Sequence, residues 1–125
     1  TINTDDMYEN IRQMVDSLKQ QNPQAVFLFT TPSDSYRRAR KGFLKNANTQ
    51  KSKNTIIRFC EEQHYAYWDL NAVMGGYGSM MYWYRNGLAQ RDLIHFTVRG
   101  YQLQGNLLYN AIIQGYEKYT ERNTK

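Results

Sequence analysis

An aspartate three residues before a histidine is the feature of this sequence that most directly indicates chemistry. Asp92 and His95 lie in the segment 90–97, whose order is Gln-Arg-Asp-Leu-Ile-His-Phe-Thr. An imidazole can take a proton from a hydroxyl nucleophile when its other ring nitrogen donates to a fixed acceptor that sets the tautomer. A three-residue separation across a turn brings both side chains to one side of the backbone. We therefore predict that Asp92 orients His95 as a general base.

A helix must follow this pair and hold it in place. Thr97 is the predicted N-cap, because a threonine hydroxyl can accept a hydrogen bond from a backbone N–H in the first turn. An apolar stripe then predicts a final helix ending near Tyr119, which we expect to pack against a sheet. The stripe consists of Leu103, Leu107, Leu108, Ala111, Ile112 and Gly115.

Two short apolar runs predict the sheet. The run 25–30 has no polar alternation, which is typical of a strand covered on both faces in a parallel sheet. The run 65–70 predicts a second strand, and Asp69 at its end is expected to order the next turn by accepting backbone N–H groups. A helix from about Thr49 or Ser52 to Gln63 would connect them as one parallel crossover unit. Helical spacing also predicts a first helix from about Asp5 to Gln21, capped by Thr4.

The charge balance is basic but modest. The chain has 125 residues, enough for one domain, with 16 Lys and Arg against 11 Asp and Glu and a net charge of +5. Much of the excess lies in the segment 36–53, predicted as a long loop with some helix, and we favour a solvated basic loop over a nucleic-acid-binding patch. Cys60 is predicted to be an inert, buried thiol on a helix face. No segment is long enough to span a bilayer, and no metal or cofactor motif is evident.

A set of residues in the second half of the chain resembles the end of an SGNH, or GDSL-type, hydrolase, within a subgroup of secreted bacterial esterases that includes lipase-like enzymes. The matching residues are Trp68-Asp69-Leu70, Gly75-Gly76, Ser79, Trp83, Gly87-Leu88, Asp92-Leu93-Ile94-His95-Phe96-Thr97, Gly100-Tyr101, Gly105 and Leu107-Leu108-Tyr109. The segment 27–36 is similar to the strand and loop that precede this part of the family.

The resemblance implies a specific fold and activity. The fold would be α/β, the C-terminal part of a three-layer α/β/α, flavodoxin-like domain with parallel strands and flanking helices. The activity would be hydrolysis through a serine ester, with His95 as general base and then acid and Asp92 as its orienting acid, without a cofactor or metal. Substrates would be small-molecule or carbohydrate esters, for example acetyl esters on polysaccharide, in the periplasm or outside the cell.

The nucleophile segment of the family is not found in these residues. The family places its serine in a Gly-Asp-Ser block, followed by a glycine and a Gly-x-Asn-Asp-like block, whereas Asp34-Ser35 follows Ser33. We therefore do not assign Ser35 as the nucleophile. Residues 1–125 are interpreted as a single domain that forms the C-terminal portion of a larger hydrolase, inactive by itself, with the serine outside this chain.

Two strands are too few for a complete doubly wound sheet, and an unpaired apolar edge favours association. We expect a third strand from the missing N-terminal half or from a second copy of the chain, a swapped dimer, or an edge left open. The alternative function is a non-catalytic binding module that uses a basic, tyrosine-rich surface for an anionic glycan or nucleic acid. A fragment with a purely structural role is the third possibility.

Overall fold

The computed structural model describes residues 2–124, which form five helices and four strands. In chain order these are α1 (Thr4–Gln21), β1 (Leu28–Thr30), β2 (Tyr36–Ala39), β3 (Gly42–Lys45), α2 (Ala47–Gln63), β4 (Ala66–Trp68), α3 (Leu70–Val73), α4 (Met80–Arg85) and α5 (Val98–Asn123). None of the helices in this range is long and apolar enough to cross a membrane.

The strands β1 and β4 form the parallel pair expected from the two apolar runs, with α2 between them in the chain. Leu28 pairs with Ala66 and Thr30 with Trp68. Both strands are shorter than predicted, and Val26 is 94% exposed because it precedes the ladder. Within residues 2–124 the sheet order is β1-β4, so each strand keeps one unpaired edge. The prediction of parallel strands with flanking helices is confirmed.

Helices α1 and α2 bring one hydrophobic cluster to the sheet. Val15 of α1 and the neighbours Phe59 and Cys60 of α2 are its buried members, and Phe29 of β1 packs against them. Phe29 meets Phe59 edge to face with ring centroids 5.6 Å apart, a favourable aromatic geometry. Cys60 is 0% exposed, as predicted, and burial raises the pKa of its thiol to about 11.

The start of α1 differs from the prediction by one residue. Asn3, and not Thr4, is the N-cap, because its side-chain oxygen accepts hydrogen bonds from the N–H groups of Asp5 at 3.1 Å and Asp6 at 3.3 Å. Asparagine is at least as good a cap as threonine, so the local chemistry permits either choice.

A hairpin replaces the long loop predicted for the segment 36–53. Strands β2 and β3 pair antiparallel, with Ala39 opposite Gly42, and Arg40 and Lys41 form the turn. The helix α2 then starts at Ala47, earlier than predicted, because Asn46 caps it by accepting from the N–H of Asn48 at 3.2 Å.

The connection from β4 to α5 forms a second hydrophobic cluster. Its buried members are Tyr36, Leu70, Met74, Met80, Trp83, Ala89, Leu93 and Phe96. Two buried or half-buried carboxylates order the segment. Asp69 accepts from the N–H of Ala72 at 3.0 Å and from Thr31 Oγ1 at 2.9 Å, as predicted for a turn-ordering acid. Asp34, which is 0% exposed, accepts from the N–H groups of Gly78 and Met80.

The final helix α5 is longer than predicted and less covered. It continues to Asn123, and Gly100 is its buried residue. The predicted stripe is present, but Ile112 is 49% exposed, and Leu107 and Leu108 are half-buried. The expectation that this helix packs against the sheet is therefore wrong for the part of the chain that the structure describes, where Gly100 is the only buried residue of α5.

Candidate active site

Asp92 and His95 are in direct contact, in the geometry that an oriented base requires. The Nδ1 atom of His95 lies 2.7 Å from Oδ2 of Asp92. The other carboxylate oxygen, Oδ1, accepts from the backbone N–H groups of Ile94 and His95, each at 3.0 Å. Both oxygens of Asp92 are thus occupied, and the imidazole ring is held at one edge.

These contacts favour the ionised form of the Asp92 carboxylate. The hydrogen bond from His95, followed by those from the N–H groups of His95 and Ile94, lowers the pKa of Asp92 to about 2. An ionised carboxylate can only accept, so Nδ1 of His95 donates to it, and in the neutral imidazole Nε2 carries the lone pair. The His95 side chain is 63% exposed, and Nε2 has no hydrogen-bond partner within residues 2–124. The ring can therefore present a proton acceptor to an incoming group.

The loop that carries Asp92 and His95 is held by a backbone bridge at its two ends and by a buried leucine near its middle. Ala89 and Phe96 form an antiparallel bridge, and the N–H of Gln90 donates to the carbonyl of His95 at 2.8 Å. Leu93 is 2% exposed, and its φ of 58° lies in the left-handed region. A non-glycine residue in that region is uncommon and is favoured near functional sites when its surroundings hold it there.

Thr97 ties this loop to α5, as predicted. Its Oγ1 accepts from the N–H of Gly100 at 3.2 Å and donates to the carbonyl of Gly87 at 2.8 Å. Its own N–H donates to the carbonyl of Leu88 at 3.0 Å. The threonine therefore caps the helix and fixes the chain immediately after His95.

The hairpin formed by β2 and β3 contacts the loop that carries Asp92. The sequence did not reveal this contact. The N–H of Tyr36, the first residue of β2, donates to the carbonyl of Leu93 at 3.0 Å. A cleft of about 620 Å³ separates the rest of the hairpin from the loop, and Arg38, Phe43 and Asp92 are among its lining residues. The available signal was Gly42 directly after the Arg40-Lys41 turn, but the run of charges around it indicates a solvated loop equally well.

Ser35 is engaged away from the imidazole. Its Oγ is 2.9 Å from Oγ1 of Thr49 and accepts from Nδ2 of Asn46 at 3.1 Å. Residues 2–124 contain no group of three or more His, Cys, Asp or Glu side chains placed to hold a metal ion. The described side chains thus place an imidazole against a carboxylate, without a serine hydrogen-bonded to either of them.

A comparison with protein-family models finds no match for this chain, and no curated protein matches it in sequence. Solved structures do match it. A peptidoglycan O-acetylesterase superposes with a TM-score of 0.81 at 21% identity, over 91% of this chain and 33% of that protein. The esterase domain of the ORF1 protein from the zebrafish ZfL2-1 retrotransposon superposes with a TM-score of 0.61 at 16% identity, over 91% of this chain and 61% of that domain.

At these identities the likeness shows the fold. The chain spans about a third of the acetylesterase and less than two thirds of the retrotransposon domain. The prediction of an α/β fold is confirmed, and so is the resemblance to SGNH-type hydrolases over part of their length. This chain has an α/β fold that is similar to part of these two esterase structures.

Proposed function

We propose that this chain is the C-terminal portion of an SGNH-type ester hydrolase that removes acyl groups, such as acetyl, from carbohydrate. The supporting observation is the 2.7 Å contact between Nδ1 of His95 and Oδ2 of Asp92, which leaves Nε2 exposed as a base. In this proposal His95 is a catalytic residue, Asp92 positions it, and the serine nucleophile belongs to sequence outside residues 1–125.

The proposed reaction proceeds in two acyl transfers. The serine hydroxyl attacks the ester carbonyl while Nε2 of His95 takes its proton. The tetrahedral intermediate collapses, the C–O bond to the sugar breaks, and the imidazolium returns the proton to the departing sugar oxygen. Water then attacks the acyl-serine with His95 again as the base, and collapse releases the carboxylic acid and free serine.

Asp92 acts on His95 throughout these steps. It fixes the Nδ1–H tautomer, and its negative charge stabilises the imidazolium that forms in each half-reaction. Its low pKa means that it remains ionised at any pH at which the neutral imidazole can act as a base. Asp92 is therefore a positioning residue for the proton transfer.

The choice of carbohydrate ester rests on two supports. One matching structure is described as a peptidoglycan O-acetylesterase. The His95 side chain is 63% exposed, so a bulky sugar polymer can reach it without entering a closed tunnel. A bacterial parent protein acting in the periplasm or outside the cell belongs to the same proposal.

The proposal also includes a partner for the exposed apolar surfaces. The N-terminal half of the domain would pair with an open edge of the β1-β4 sheet and cover the stripe on α5, where Ile112 and Ile113 are 49% and 37% exposed. A second copy of this chain is the alternative occupant. Burying that stripe would stabilise the assembled domain through the hydrophobic effect.

The test is to express the chain with its N-terminal region, or to supply that region in trans, and to assay hydrolysis of p-nitrophenyl acetate. We expect His95→Ala to lower turnover by roughly three or more powers of ten, the usual cost of losing a member of such a triad. His64→Ala, which removes the other histidine at the C-terminus of α2, is the matched control and should leave turnover nearly unchanged. Unchanged turnover in a folded His95→Ala protein would overturn the proposal.

A further inference from the structure

We propose that the cleft between the hairpin and the loop 91–94 is an anion-binding subsite, and that the carbohydrate ester bound here therefore has a carboxylate group close to its acyl group. This inference rests on the proposed function, because it names the substrate class of the same site. It can be tested by binding alone, without turnover.

The cleft reaches Asp92, the residue that contacts Nδ1 of His95. It has a volume of about 620 Å³, within the range of pockets that hold small ligands. Its lining side chains are basic or apolar, apart from Asp92 itself. They include Arg38, Arg40, Phe43, Arg91, Asp92 and Ile94.

The register of the hairpin explains why these side chains converge. Successive residues of a strand point to opposite faces, so Arg38 shares a face with Tyr36, which is buried and bonded to Leu93. Phe43 lies opposite Arg38 in the register and therefore on the same face. Arg37 faces the other way and lines a separate cleft with Lys51. The base of the hairpin thus fixes Arg38 toward the catalytic loop.

The arginines of the cleft are available to a ligand. Within residues 2–124, Arg38, Arg40 and Arg91 form no salt bridge, and all three are exposed. The acidic residue that lines the same cleft is Asp92, whose two oxygens are already bonded to His95 and to backbone N–H groups. An anion that enters the cleft could bind these guanidinium groups without first displacing a carboxylate of the chain.

The chemistry of the lining favours a sugar acid. A guanidinium group binds a carboxylate through two parallel hydrogen bonds, which gives both affinity and orientation. Phe43 and Ile94, 41% and 47% exposed, offer apolar surface to the face of a sugar ring. A nucleic-acid strand would need positive charges spread along a track of phosphates. Here the three arginines line one cleft together with Asp92, which suits a single anionic group bound close to that residue.

The experiment compares binding of two oligosaccharides of equal length to this chain, an oligogalacturonate and a neutral β-glucan, by isothermal titration calorimetry at two salt concentrations. We expect the oligogalacturonate to bind more tightly, and more weakly as salt is added. Arg38→Gln should weaken its binding about fivefold or more, the usual effect of losing a charged hydrogen-bond pair at a partly exposed site. Arg37→Gln removes the same charge from the opposite face and should change the affinity less than about twofold.

Three outcomes would overturn the inference: equal binding of both oligosaccharides, equal loss in the two variants, or tighter binding of a single-stranded oligonucleotide than of the oligogalacturonate. The proposed function fails separately. If the extended chain binds the oligogalacturonate as expected but hydrolyses no acetylated form of it, the subsite remains and the esterase assignment is lost. If it hydrolyses neutral and acidic acetylated sugars with equal kcat/KM and Arg38→Gln changes neither, the esterase remains and the subsite is lost.

Discussion

Gly100 in the first turn of α5 lies directly against the backbone carbonyl of Leu88. A Cβ atom at position 100 would be 2.0 Å from that oxygen and 3.1 Å from Cβ of Phe96. The carbonyl of Leu88 also accepts from the N–H of Thr97, so the helix begins in close contact with the segment that precedes the loop 91–94. The absence of a side chain at this position is what allows α5 to position that loop.

Gly100→Ala should therefore destabilise the chain. The added methyl group overlaps a backbone atom, which cannot move aside as the end of a flexible side chain could. We expect a loss of about 1–3 kcal/mol in the free energy of unfolding, typical of overpacking, measured by urea denaturation followed by circular dichroism.

Gly105→Ala is the matched control on the same helix. A Cβ atom there has no heavy atom within 4 Å. Replacing an exposed helical glycine by alanine stabilises a helix by about 0.5–1 kcal/mol. Equal stability of the two variants would show that the approach of Gly100 to Leu88 is not close in solution.

Asp92→Asn should change the tautomer of His95. A carboxamide has one acceptor oxygen, whereas Asp92 uses one oxygen for the backbone N–H groups of residues 94 and 95 and the other for Nδ1. If the amide oxygen still accepts from the backbone N–H groups, the NH₂ group faces Nδ1 of His95. Nδ1 must then accept a hydrogen bond, so the ring proton moves to Nε2. Nitrogen-15 NMR of the ring should show the Nδ1–H form in the native chain and the Nε2–H form in the variant.

In the longer, active protein that we propose, the same substitution should lower kcat by about a hundredfold or more, because the Nε2–H tautomer cannot take the serine proton. The substitution barely changes the size of the side chain, so stability should fall little. An Nδ1–H signal that persists in Asp92→Asn, together with unchanged kcat, would contradict the positioning role of Asp92.

The pair itself was predictable because its contacts are local. Asp92, His95 and Thr97 interact with backbone and side chains only a few residues away, and such short-range geometry follows from residue type and spacing. The hairpin was not predictable in the same way. Its strands lack alternating apolar residues, and its base is fixed by a bond between Tyr36 and Leu93, which are far apart in the sequence. The exposure of the stripe on α5 was also not predictable, since an apolar stripe in the sequence does not show which surface covers it.

The pKa of Asp92 provides a test of the same contact in this chain alone. Its carboxyl should titrate with a midpoint of about 2, below the ordinary 3.8, with the hydrogen bond from His95 as the largest cause. A depressed pKa in the folded state adds stability above the ordinary value, and this stability is lost as the pH falls through about 2. Carbon-13 NMR of labelled aspartate follows the midpoint directly.

His95→Ala should raise that midpoint toward the ordinary value. It should not restore it fully, because the N–H groups of residues 94 and 95 remain bonded to Oδ1. A midpoint that is the same in the native chain and in His95→Ala would mean that the imidazole and the carboxylate do not interact in solution.

Asp34→Ala should destabilise the segment that leads to α4. The buried carboxylate accepts the N–H groups of Gly78 and Met80 at 3.1 and 2.9 Å. Without it, two donors lose their acceptor, and each costs about 1–3 kcal/mol if it stays buried. Asp34→Asn retains an acceptor oxygen and should cost less. Faster exchange of the amide hydrogens of Gly78 and Met80 in the alanine variant would show that stability is lost at these two residues. A free energy of unfolding equal to that of the wild type in this variant would contradict the structural role of Asp34.

Cys60 should be unreactive while the chain is folded. Its thiol is 0% exposed, on the side of α2 that packs against α1, and burial raises its pKa from 9.0 to about 11. Near neutral pH a reagent therefore cannot reach the sulfur, and the reactive thiolate form is scarce. A raised pKa means that burial of the neutral thiol stabilises the fold below pH 9.0, and this stabilisation is lost as the pH rises through about 11. Reaction with a chromogenic disulfide at pH 8 should therefore be slow in buffer and fast in urea. Complete reaction of the folded chain within minutes, with its helical circular dichroism unchanged, would show that the cluster formed by Val15, Phe59 and Cys60 is open.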